Sequence, residues 1–405
     1  MGPKVFLVAG EPSGDTHAAS LMEALRGLCP TITFLGAGGP RMREAGQDQV
    51  ADLAGCAVVG LWEVVRYYPV LRRMFHKLVK EAIRHRPDLF VLVDYPGFNL
   101  RFAQALRRLM PEARIAYYIS PQLWAWRAGR ARILERTVDL VLVIFPFEAT
   151  WFQKHSPRLP VVWVGHPFVD RYQHLQKIVR PGGPLRIALL PGSRVGEIGR
   201  HLPLLLQVAT ELSQKLQRVE FVWVAPDKHR QRAGEKILER WKASRLVLYR
   251  ETGELFRFLG ACDLALVASG SASLECALAT VPQLVFYQVH PLTYFIGKLL
   301  VRVPYVSMVN LVAGERIVPE FLQNQATAEV LVQATLELLA NPTLQERMKQ
   351  GMREVGRKLG PPGASRRAAQ WLWELVQSRD RRSLGLLVCS QKGSQKPVSQ
   401  EGLGS

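Results

Sequence analysis

The sequence predicts an α/β protein with two doubly wound, Rossmann-like domains facing a cleft. Three observations lead there. Short apolar runs alternate with helical periodicity over most of the 405 residues, the rhythm of parallel sheets covered by helices. A turn-rich break, Arg180-Pro-Gly-Gly-Pro184, interrupts the alternation, which restarts at Leu185. Several apolar runs end in loops of small and polar residues, where open α/β sheets hold ligands. The expected division is 1–176, then 185–360, with a closing helix over 364–378. The tail, 379–405, is rich in Ser, Gly, Lys and Gln and reads as disordered.

Composition narrows the class. Hydrophobic residues make up 48%, enough for real cores. The five cysteines are scattered without a Cys-x-x-Cys pair, which implies neither a disulfide framework nor a zinc cluster and fits a reducing cytoplasm. No stretch approaches the ~18 apolar residues of a membrane span. The formal net charge of +19 attracts polyanions, either nucleic acid or an anionic membrane surface. Its basic residues are spread along the chain and form no nucleic-acid-binding motif.

In chain order, Lys4–Ala9 is the first strand, too short for the apolar core of a signal peptide. Gly10-Glu-Pro-Ser-Gly-Asp15 reads as a loop, with Asp15 capping a helix from about Thr16 to Leu28. Ile32–Leu35 is a strand. The glycines of Gly36-Ala-Gly-Gly-Pro40 miss the dinucleotide fingerprint and imply no nicotinamide site. From Leu61 to Arg86, Val70, Leu71, Met74, Phe75, Leu78, Val79 and Ala82 recur at helical spacing, with Arg72, Arg73, Lys77, Lys80 and Arg84 mostly between them. Trp62, Tyr67 and Tyr68 come just before. Either this helix packs on its own domain with a solvated basic face, or Trp62, Tyr67, Arg72, Arg73, Phe75 and Lys77 form a patch that rests on an anionic bilayer.

Asp88–Val93 reads as a buried parallel strand that delivers Asp94 to its C-terminal end. After strand Arg114–Ile119 comes Ser120-Pro-Gln-Leu-Trp-Ala-Trp-Arg127, whose Trp124 and Trp126 either line a sugar or acyl pocket or fill a core. Strands at Leu140–Phe145 and Val161–Val164 complete this half.

In the second half, strand Ile187–Leu190 runs into Pro191-Gly-Ser-Arg194, with a helix from about Leu202. Gly192 and Ser193 let backbone approach an anion, and Arg194 adds a fork-shaped cation. Strands follow at Phe221–Ala225 and Leu246–Tyr249, with a helix over Thr252–Ala261. Strand Leu264–Ala268 ends in Ser269-Gly-Ser-Ala-Ser-Leu-Glu275: Ser269, Gly270 and Ser271 open a second phosphate cradle, and Glu275 is spaced to reach a ribose. Pro291–Pro304 is an apolar helix too short to span a bilayer. Asn310, and then Glu320, Gln323 and Asn324, form a polar cluster before helices at Ala326–Leu339, Leu344–Leu359 and Ala364–Ser378. These loops describe a nucleotide-diphosphate site. The Gly-Lys-Ser/Thr of a P-loop and any metal-ligand spacing are missing from the sequence, so a transfer without metal or cofactor is expected, its leaving group stabilised by Arg194.

Five stretches, Ala9–Asp15, Ser120–Trp126, Gly165–Phe168, Leu189–Arg194 and Ala268–Glu275, resemble in order and spacing the motif set of the lipid-A-disaccharide synthases, over about residues 1–375. The resemblance implies an inverting glycosyltransferase of the GT-B fold. Its reaction would transfer 2,3-diacylglucosamine from the UDP derivative to the 6-hydroxyl of 2,3-diacylglucosamine 1-phosphate. It implies Asp94 as general base and Arg194 at the UDP pyrophosphate, with Gly192, Ser193, Ser269, Gly270 and Ser271 as phosphate contacts. Glu275 would hold the ribose, with Asn310, Glu320, Gln323 and Asn324 on the donor side. Gly10, Glu11, Ser13, Gly14, Asp15, Trp124 and Trp126 would serve the acceptor side. Val309 stands where relatives carry proline, and Gly97 where they often carry an acidic residue.

The partners implied are acylated glucosamine lipids and the anionic cytoplasmic face of an inner membrane, met through Leu61–Arg86 or Pro291–Pro304, and no nucleic acid. The C-terminal helix would return to the first half, in its own chain or in a swapped homodimer. Two rival classes remain at this point: another GT-B enzyme acting on a soluble sugar nucleotide, and a basic peripheral membrane or nucleic-acid-binding protein without catalysis.

Overall fold

The structure is a computed structural model. It describes residues 2–53, 61–125 (backbone alone for 61–68), 128–175, 177–178, 180, 182–241, 246–289 and 303–378. Trp126, the side chains of Trp62 and Tyr67, residues 291–302 and the 379–405 tail lie outside the described residues. The chain divides into two compact units, Met1–Asp170 with the chain from Gly360 onward, and Arg171–Leu359.

The first unit holds strands β1 (Lys4–Ala9), β2 (Thr33–Gly38), β3 (Gln47–Asp52), β4 (Leu89–Val93), β5 (Ile115–Tyr118), β6 (Leu140–Val143) and β7 (Val161–Trp163). They form one parallel sheet in the order β3-β2-β1-β4-β5-β6-β7. Its helices are α1 (Pro12–Leu28), α2 (Pro40–Glu44), α3 (Leu61–His85), α4 (Pro96–Leu109), α5 (Ala131–Thr137) and α6 (Pro146–His155); α7 (Pro167–Tyr172) ends beyond the boundary.

The second unit has β8 (Leu185–Leu190), β9 (Val219–Ala225), β10 (Leu248–Thr252), β11 (Leu264–Ala268), β12 (Gln283–Tyr287) and β13 (Glu320–Leu322), all parallel, in the order β10-β9-β8-β11-β12-β13. Its helices are α8 (Val195–Lys215), α9 (Lys228–Leu238), α10 (Phe256–Leu259), α11 (Ser271–Leu278), α12 (Met308–Ala313), α13 (Ala328–Ala340) and α14 (Pro342–Lys358); α15 (Ala364–Gln377) returns to the first unit. In each sheet the order reverses at the first strand of its unit, β1 and β8, which makes the loops after these strands the switch-point loops.

The central strands are apolar on both faces because helices cover both. Leu89–Val93 and Leu264–Ala268 are buried throughout. Phe6 packs with tilted rings against Phe90 and Phe102 in the core of the first unit, each side chain worth about 1.5–3 kcal/mol when fully buried. Trp223 plays that part in the second, against Ile198, Leu202 and Leu206. Helix α15 lays Ala368, Ala369, Leu372 and Leu375 against α1. Its first turn is capped from a distance: the Asp170 carboxylate accepts the N–H groups of Gly363, Ala364 and Ser365 at 2.5, 3.0 and 3.2 Å.

Several expectations are corrected. Helix α1 starts at Pro12, so Asp15 lies inside its first turn and does not cap it. Helix α8 starts at Val195 rather than near Leu202, because Glu197 closes its first turn. The expected helix over Thr252–Ala261 shrinks to α10 as β10 runs on to Thr252. Strand β3 escapes a hydrophobic reading because it is a polar edge strand, with buried Gln47 donating to Leu7 and Leu35 carbonyls at 3.1 and 3.4 Å. Phe75, assigned to a lipid-facing patch, packs edge-on against Phe98 and Phe102 at centroid distances of 5.5 and 5.9 Å. Arg72, Arg73 and Lys77 on the same helix are exposed, and Lys77 Nζ donates to the Val50 carbonyl at 2.7 Å.

Candidate active site

In the first unit, pairing of Ala9 with Val93 sets the loops after β1 and β4 side by side. Asp94 stands at the C-terminal end of β4, half-buried. Asp94 and Tyr95 both take left-handed backbone, φ 46° and 48°, a costly pair for residues with a Cβ. The turn is held open by side chains the motif reading did not single out. Asn99, fully buried, donates to the carbonyls of Asp94 and Val93 at 2.8 and 3.1 Å. Tyr117 Oη donates to the Asp94 carbonyl at 2.5 Å. Gly10 is required across the loop, since a Cβ there would lie 2.0 Å from the Tyr95 ring. The strained peptide is therefore pinned on both sides, and the Asp94 carboxylate starts from a fixed main chain.

The other residues expected on the acceptor side divide. Ser13 is exposed and Glu11 half-buried at the head of α1, with Gly14 buried below. Asp15 is 2% exposed, and its carboxylate accepts from the N–H groups of Gly39, Arg41 and Met42 at 2.8, 3.0 and 3.1 Å. It caps α2. Trp124 is half-buried, its ring edge-on to Phe147 at 4.9 Å and its Nε1–H given to Glu148 at 3.2 Å.

Glu148 is the main residue the sequence reading missed. It is 1% exposed and accepts four hydrogen bonds, from Ser120 Oγ and Trp124 Nε1 on one oxygen and the N–H groups of Ile144 and Phe145 on the other. Burial pushes its carboxyl up to about 7 while these donors pull it down. The clue was Phe145-Pro-Phe-Glu148, a strand end followed by Pro and then Glu at the third helical position, the pattern of a capping box.

In the second unit, β8 and β11 are neighbours, with Leu190 opposite Val267, so Gly192–Arg194 and Ser269–Ser271 emerge together at the C-terminal edge. Gly192 has φ 111°, and a Cβ there would meet Glu197 at 2.4 Å. Glu197 Oε2 accepts the N–H groups of Ser193 and Arg194 at 3.1 and 3.3 Å, and its Oε1 meets the Arg194 guanidinium at 3.4 Å. A carboxylate thus already sits where this turn attracts an anion, while the Arg194 side chain is 45% exposed. Gly270 has φ 156° and open space beyond its Cα, at the start of α11. Ser269 Oγ donates to the Val306 carbonyl at 2.8 Å, and Ser271 is exposed. Glu275 is half-buried in α11 and accepts from Tyr172 Oη at 2.9 Å; burial pushes its carboxyl up to about 7.

The expected polar cluster proves largely committed to its own backbone. Asn310 is fully buried, donates to the Val318 carbonyl and Glu320, and accepts from the N–H groups of Ile317 and Val318. Glu320 accepts from the N–H groups of Val306 and Ser307, both at 3.0 Å. Gln323 grips both the N–H and the carbonyl of Val289. These three brace the loops around them, with Glu320 and Gln323 half-buried, while Asn324 is exposed.

Two parallel units of this order, each with a small-residue loop at its switch point, have the GT-B type of fold. Among solved structures, the glycotransferase of kitacinnamycin superposes with a TM-score of 0.63 at 15% identity, over 93% of this chain and 100% of that one. UDP-GlcNAc 2-epimerase from Neisseria meningitidis, bound to UDP-GlcNAc, gives 0.59 at 14% identity, over 92% and 99%. These likenesses bear on the fold alone. A model of the lipid-A-disaccharide synthetase family matches residues 5–372. The lipid-A-disaccharide synthase of Geobacter sulfurreducens is 38% identical over 381 residues, covering 92% of this chain and 97% of that one. The chain belongs to the lipid-A-disaccharide synthase family, and is a hexosyltransferase.

Proposed function

We propose that Asp94 and Arg194 divide the transfer of 2,3-diacylglucosamine from its UDP derivative to the 6-hydroxyl of 2,3-diacylglucosamine 1-phosphate. Asp94 takes the proton of the 6-hydroxyl as its oxygen attacks the sugar C1. The C1–O bond to phosphate breaks with inversion, and UDP leaves with the electron pair. The β-1,6-linked disaccharide 1-phosphate remains. A positioned carboxylate base is worth roughly a hundred- to ten-thousand-fold. The observation that carries this reading is the pinned left-handed turn at Asp94 and Tyr95, a strained backbone at the end of a central strand.

Arg194 meets the departing diphosphate, helped by the backbone at Gly192, Ser193, Gly270 and Ser271. Its pairing with Glu197 is an exposed contact that a diphosphate can displace. Glu275 holds the ribose.

Both substrates are lipids, so the enzyme works at the cytoplasmic face of the inner membrane as a peripheral protein. In support, its net charge is +19, Arg72, Arg73 and Lys77 are exposed on α3, and no described helix is long and apolar enough to cross a membrane. Binding to anionic vesicles is expected to weaken as salt rises.

The test is turnover of purified full chain with the two acylated substrates, product and UDP being measured by mass spectrometry. The reading predicts one tetra-acyl disaccharide 1-phosphate per UDP released. Equal turnover of a deacylated pair would point to a soluble sugar-nucleotide enzyme instead.

A further inference from the structure

We propose that Tyr172 is a positioning residue for nucleotide recognition: its hydroxyl orients the Glu275 carboxylate as an acceptor for the ribose hydroxyls. This rests on the reading of Glu275 as the ribose contact.

Tyr172 is 6% exposed and lies in the same unit as Glu275. Its Oη donates to Glu275 Oε2 at 2.9 Å. Its ring stands edge-on to Phe256 of α10 at 6.2 Å, and Arg171 lies over the same Phe256 ring at 5.9 Å. The phenol is thereby fixed by packing, and fixes one oxygen of the carboxylate in turn. A carboxylate that accepts from a phenol on Oε2 keeps Oε1 for a second donor, and a ribose hydroxyl is such a donor.

The protonation state decides whether this works, since only the ionised form is acceptor-only. The charged and titratable groups around Glu275 pull in both directions. Burial raises its carboxyl to about 7, the Tyr172 hydrogen bond and the Arg171 charge lower it, and Glu254 raises it. The thiol of Cys276, next along α11, is itself pushed well up by burial and by Glu275. Removing the phenolic hydroxyl removes the first-named restraint on protonation. Tyr172→Phe would therefore leave Glu275 neutral over a wider span of pH, while keeping the ring that packs on Phe256.

The experiment compares UDP with 2′,3′-dideoxyuridine diphosphate by calorimetry from pH 6 to 9, in the full-length protein and in Tyr172→Phe and Glu275→Gln. The wild type should prefer UDP by about tenfold or more at pH 8, the preference falling as pH drops through about 7. Glu275→Gln should lose most of the preference at every pH. Tyr172→Phe should regain it only at higher pH, the midpoint moving upward, with the dideoxy ligand bound equally by all three proteins. A Tyr172→Phe preference that follows the wild-type pH course overturns the proposal. So does an equal loss of both ligands, which would mean general disruption. A Glu275→Gln protein that keeps the wild-type preference instead removes the ribose reading itself.

Discussion

At Asp94 a short stretch of backbone does unusual work. A left-handed residue with a Cβ costs on the order of 1–3 kcal/mol, and two stand in succession. Asn99 and Tyr117 restrain the turn through its carbonyls, and the helix of Pro96–Leu109 begins directly after it. The carboxylate's place at a strand end could be read from the apolar run before it. Its support could not, because Asn99 and Tyr117 are unremarkable as letters and meet Asp94 only through folding. Glu148 behaves similarly. Its folded value of about 7 lies above the ordinary 4.5, so the folded state holds the proton more tightly than the unfolded chain. The stability this confers is complete below about pH 4.5 and is lost as pH rises toward 7, a change on the order of 3 kcal/mol. Urea denaturation of wild type and Glu148→Gln across this window should show wild type losing ground to the variant. A gap that moves the other way would mean the four donors outweigh burial.

Elements show where pattern reading stops. Most strands were legible because their apolar runs are buried on both faces, as in Leu89–Val93 and Leu264–Ala268. The edge strand Gln47–Asp52 was not, since its inward residue is a glutamine satisfied by carbonyls. Asp15 looked like a cap and is one, for a different helix: three-dimensional neighbours, not sequence neighbours, decide which N–H groups a carboxylate meets. Asp15→Ala would leave the buried N–H groups of Gly39 and Met42 without an acceptor, at about 1–3 kcal/mol for each. Denaturant midpoints test this, and an unchanged midpoint would refute the cap. The Asn310, Glu320 and Gln323 cluster teaches the same point, because polar residues gathered in sequence turned out to be bracing one another's loops.

Across the whole molecule, the chain leaves its first unit after Asp170 and comes back at Gly360. Asp170 joins the two crossings by capping the returning helix Ala364–Gln377. Asp170→Ala should cost about 1–2 kcal/mol in equilibrium unfolding; no loss would show that packing on Pro12–Leu28 suffices. The two-unit plan was legible because the alternation of strands and helices restarts at Leu185, and the family from five spaced motifs. The proposed division of chemistry belongs to this scale as well, since Asp94 and Arg194 lie in different units. It is tested most directly by Asp94→Asn. With both acylated substrates saturating, kcat should fall about a hundred- to ten-thousand-fold, while calorimetry returns the wild-type Kd for UDP. Turnover near the wild-type rate would contradict the account.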